Sequence, residues 1–75
     1  MKPQHLEITN IEYHRPGLNK IRFTAIYPGY VRRGVVVYDI VKRHFITHTH
    51  DIELLVALCI SLQQVKLTKF QYGSP

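Results

Sequence analysis

The sequence predicts an α+β domain: a mainly antiparallel sheet of four or five strands with one helix packed on one face, in the order β-β-β-(β)-α-β. Three observations predict it. Period-two alternation recurs in short segments punctuated by Pro-Gly pairs, the stretch from Asp51 to Gln64 keeps helical spacing, and VKLTKFQY then returns to period two. Seventy-five residues make one domain, 1–75, near the lower limit at which a hydrophobic core alone offsets chain entropy. The polar or turn-forming ends, about 1–4 and 73–75, are expected to be flexible.

LEITNIEY alternates through Leu6 and Ile8, then shifts phase to Ile11 and Tyr13, as a strand with a bulge near Thr9 and Asn10 does. Pro16 and Gly17 follow in type II turn order, proline fixing φ at the second position and glycine supplying positive φ at the third, so a hairpin closes there. KIRFTAIY then alternates cleanly. Ile21, Phe23, Ala25 and Tyr27 take the core face, and Lys20, Arg22 and Thr24 the wet one. YPGYVRRG, residues 27 to 34, reads as a loop carrying Arg32 and Arg33 beside Tyr27 and Tyr30. VVVYDI reads as a central strand, β-branched on both faces. Asp39 with Lys42, Arg43 and His44 forms a polar cluster between two β-prone runs, which predicts a turn into a fourth strand at FITH; the alternative is one strand running on to Thr47.

From Asp51 the helix sets Glu53, Ala57, Ser61 and Gln64 in a narrow stripe that marks its solvent side. Ile52, Leu55, Cys59 and Leu62 centre the opposite side, with Leu54, Val56 and Ile60 on the flanks. An apolar arc of more than half the circumference exceeds what one sheet covers, so Leu54 and Ile60 are candidates for a dimer or partner contact, unless loops cover them.

Ten Lys and Arg against five Asp and Glu give a net charge of +5 and a pI near 9.7, which favours nucleic acid or an acidic protein surface as partner. The placeable cations are Arg32 and Arg33 in the loop, Lys42 and Arg43 in the turn, and Lys66 and Lys69 on the closing strand. Tyr30, Phe70 and Tyr72 lie near them in sequence. Basic groups neutralise phosphates and exposed rings stack on unpaired bases, so together they fit single-stranded nucleic acid. The same rings also read as core or rim residues.

Enzyme chemistry is not expected. No nucleophile, base and orienting group recur in a known order, and the four glycines form no phosphate cradle. The lone Cys59 excludes an internal disulfide and reads as a buried, reduced thiol in a cytoplasmic compartment. His48 and His50 are spaced to share a metal. The order strand, His-x-His, acid, helix is similar to the HxHxDH motif of metallo-β-lactamase-like hydrolases, yet that family's Asp and last His would fall at Ile52 and Glu53. Helix entry accounts for the segment better, with Thr49 capping the first turn and Asp51 and Glu53 at the positive end of the helix dipole. No cofactor, metal or membrane span is expected. The longest apolar run, Leu54 to Ile60, is too short to cross a bilayer.

The leading expectation is therefore a non-catalytic basic accessory protein that binds nucleic acid through Arg32, Arg33, Lys42, Arg43, Lys66 and Lys69, with a homodimer built on the helix flank. The alternative is a protein-interaction module, a regulator or inhibitor that docks on a larger protein through Leu54, Ile60 or a sheet edge. A third reading, metal binding, rests on His48 and His50.

Overall fold

A computed structural model of the chain describes residues 2–46 and 50–65. Four strands form an antiparallel meander, β1 (His5–Arg15), β2 (Leu18–Tyr27), β3 (Tyr30–Asp39) and β4 (His44–Ile46), in the spatial order β1-β2-β3-β4, and one helix, α1 (Ile52–Gln63), follows. This is the predicted α+β architecture. The expected closing strand lies in 66–72, outside the described residues, as do Lys66 and Lys69.

Local chemistry accounts for each connection. Glycine closes the first two hairpins by adopting positive φ, Gly17 at 78° after Pro16 and Gly29 at 84° after Pro28. The pair Tyr27↔Tyr30 shows that Pro28 and Gly29 are the whole second turn. Residues 30 to 34 are thus strand and not the expected loop, because the alternation of β3 begins immediately after Gly29. The two tyrosines that flank this turn stack at 4.8 Å and 7° between ring planes. In β1 the register slips between Ile8 and Asn10, which places the anticipated bulge at Thr9.

The β3–β4 connection is a side-chain-stabilised turn, as the polar cluster predicted. Asp39 Oδ1 accepts from the amides of Val41 and Lys42, each at 2.9 Å, and the Arg43 amide donates to the Asp39 carbonyl at 2.8 Å. The Lys42 amide, together with that of Val41, holds the Asp39 carboxyl below the ordinary Asp value of 3.8. A carboxyl depressed by folding stabilises the fold above its ordinary pKa and loses that contribution as pH falls through the folded value. Asp39→Ala should therefore lower the unfolding midpoint at neutral pH, and its gap from the parent should narrow below about pH 4; a gap that stays constant across that range contradicts the turn. Arg43 closes the turn at φ 59°, in the left-handed region. That conformation costs an L-residue roughly 1–2 kcal/mol, and the added freedom of unfolded glycine offsets about half of what a replacement recovers. Arg43→Gly should accordingly stabilise by about 0.5–1 kcal/mol, read as a rise of several degrees in Tm.

The core lies between α1 and one face of the sheet. Ile21, Phe23, Ala25 and Tyr27 of β2 are buried together with Val36 of β3 and Leu54, Leu58 and Leu62 of α1, and Leu6, Ile8, Ile11, Tyr38 and Phe45 pack around them. Asn19 is buried two positions before Ile21, as strand parity requires. Asp51 caps the helix, its Oδ1 accepting from the Leu54 amide at 3.1 Å. Asp51 is thus the N-cap; Thr49, expected to cap the first turn, lies with His48 outside the described residues.

The helix is turned roughly 80° about its axis from the orientation expected, at 100° per residue. Its buried line is Leu54, Leu58 and Leu62, spaced by four, while Ile52 and Cys59, assigned to the core, are exposed. Ala57 and Ser61, assigned to solvent, are half-buried. Three leucines present longer and more deformable side chains to the sheet than the β-branched Ile52, and two small residues beside them permit close approach.

Candidate interaction surfaces

Rotation of α1 decides which apolar residues remain outside the core. Leu54, expected on the partner-facing flank, is only 1% exposed and belongs to the core. Ile60, expected there too, is 52% exposed. Ile52 and Val56 are exposed with it, and the spacing of four places the three along one line of the helix. This stripe forms one wall of a groove of about 390 Å³, whose other wall is the chain entering β1, including Pro3, His5 and Leu6. The groove lies beside the outer edge of β1, which has no strand against it among the described residues. Apolar side chains next to an unpaired strand edge give a partner both a surface to bury and backbone groups to pair.

The four of the six cations expected from sequence that lie among the described residues, Arg32, Arg33, Lys42 and Arg43, do not converge. Arg32 and Arg33 are neighbours on a strand and so point to opposite faces. Arg32 shares the helix side with its pair partner Ala25, and its Nη1 lies 3.5 Å from Asp51 Oδ2 at the helix entry. Arg33 pairs with Thr24 on the face away from the helix. Lys42 and Arg43 sit in the turn beyond Asp39, the other end of β3, roughly 20 Å away at 3.3 Å per residue.

A different set gathers around Arg33. On the helix-free face the cross-strand pairs are Ile26↔Val31, Thr24↔Arg33, Arg22↔Val35 and Lys20↔Val37, with Ile46 beside Val37. Arg22 donates from Nε to Glu12 Oε1 at 2.7 Å, and this contact holds the Glu12 carboxyl below its ordinary range. The wet side of β2 was legible in its alternation; the contribution of β3 was hidden by reading residues 30 to 34 as a loop.

Among the described residues no three His, Cys, Asp or Glu side chains gather to hold a metal, and no helix is long and apolar enough to cross a membrane. Comparison with known protein families, curated proteins and solved structures found no match.

Proposed function

We propose that this chain is a small non-catalytic protein-interaction module, acting as a regulator or adaptor that docks on a larger protein through the groove between α1 and the start of β1. The observation that carries this reading is the exposed line of Ile52, Val56 and Ile60 beside an unpaired strand edge. Branched aliphatic residues at consecutive helical turns contribute little to solubility, and their burial against a partner releases apolar surface from water. The nucleic-acid reading is the weaker of the two, because Arg32, Arg33, Lys42 and Arg43 are divided between faces and ends of the sheet.

The test is a pull-down from cell lysate at low salt with nuclease present. A specific protein should be retained by the parent chain and by the Lys42→Ala, Arg43→Ala double variant, and lost by Ile60→Asp. Because Ile60 is half exposed, that substitution should leave the unfolding midpoint nearly unchanged. Retention that vanishes with nuclease, or that Ile60→Asp does not disturb, contradicts the proposal. In the homodimer form of the reading, sedimentation equilibrium shows a dimer that Ile60→Asp converts to monomer.

A further inference from the structure

The sheet carries a second surface on the side opposite α1, and it stands independently of the groove. Ile26, Val31, Val35 and Ile46 are all exposed there, although β-branched residues on both faces of β3 form the pattern of a strand covered on both sides. Between them lies a shallow depression of about 380 Å³ lined by Arg22, Thr24, Arg33 and Val35, with Thr9 from the bulge of β1 at its border. Gly34 leaves this point of β3 without a side chain on the helix face, where the Phe23 ring lies across it.

Charge selects the occupant. Whatever covers Val31 and Val35 must also cover Arg33, which stands between them on the same face. A guanidinium buried with no counter-charge loses its hydration with nothing to replace it, so a stable cover brings an anion to it. Arg22 is already engaged by Glu12, on which its cross-strand neighbour Lys20 also acts, while Arg33 forms no ion pair among the described residues. The surroundings distinguish the anion's source. Valine and isoleucine flank the cations, and no Phe or Tyr ring of the described residues stands on this face to stack on a base. We infer that the helix-free face docks a protein segment that is both acidic and apolar, its aliphatic side chains on Val31, Val35 and Ile46 and a carboxylate seated between Arg22 and Arg33.

Random peptides displayed on phage and selected on the immobilised full chain provide the probe, with Arg33→Glu used for counter-selection. The enriched peptides should combine Asp or Glu with Leu, Ile, Val or Phe. A synthesised representative should bind Arg33→Gln and Val35→Asp about tenfold more weakly than the parent and bind Ile60→Asp equally well, with amide shifts confined to β2, β3 and β4. Arg33→Gln is an exposed substitution that preserves the strand, so loss of binding there is not loss of fold; a thermal melt of each variant checks this. Enriched peptides that lack carboxylates, or binding indifferent to Arg33→Gln, overturn the inference. So does an oligodeoxythymidine that occupies this face in place of the peptide, or a dimer of the chain that Arg33→Gln abolishes. Failure here leaves the groove untouched, and Ile60→Asp reports on the groove alone.

Discussion

Leu58→Ala should lower the unfolding free energy by about 2–5 kcal/mol. Leu58 is fully buried at the centre of the helix's contact line, between Leu54 and Leu62, and its removal leaves a cavity walled by a sheet that cannot collapse into it. A 75-residue domain has little stability to spare, so the variant is expected to melt roughly 8–40 °C lower at roughly 4–8 °C per kcal/mol. Truncation of Val56, on the exposed side of the same helix, should stay within about 0.5 kcal/mol. Equal effects at Leu58 and Val56, measured by chemical denaturation, contradict the described helix orientation.

Gly34→Ala should destabilise by about 1–3 kcal/mol, against the ordinary preference of strands for alanine over glycine. A Cβ added at Gly34 would lie 2.8 Å from Cζ of Phe23, its cross-strand partner, and Phe23 is itself buried. The ring covers the glycine and occupies the volume a side chain would need. Phe23→Leu in the same chain opens that volume, so the penalty for Gly34→Ala should shrink by about 1 kcal/mol or more in the double variant. A stabilising Gly34→Ala, as expected of an unobstructed strand glycine, contradicts the packing of β2 on β3.

The sheet was legible because its signals are local. Pro16-Gly17 and Pro28-Gly29 name their own turns, the phase shift across Thr9 announces the bulge, and the Asp39 cluster marks the third reversal. The Pro28-Gly29 pair makes residues 27 to 34 resemble a loop, whereas the parity of residues 30 to 34 continues β3. The helix was legible in kind and extent but not in rotation. With apolar residues around most of its circumference, no single direction is strongly preferred, and the choice falls to the fit of Leu54, Leu58 and Leu62 against the sheet. That choice moved Leu54 into the core and left Ile60 outside. The basic set dispersed for a simpler reason: neighbours in a strand face opposite ways, so sequence adjacency of Arg32 and Arg33 does not make a patch.

Cys59 offers the most direct measurement, since it lies on the side of α1 that the sequence assigned to the core and the structure exposes. It is also the chain's single thiol. Reaction of the native chain with an aromatic disulfide reagent should proceed at a rate approaching that of the denatured chain, and should be unaffected by small additions of denaturant. A thiol that reacts only in step with global unfolding would place Cys59 against the sheet, turn Val56 and Ile60 away from where they are described, and remove the groove on which the proposed docking depends.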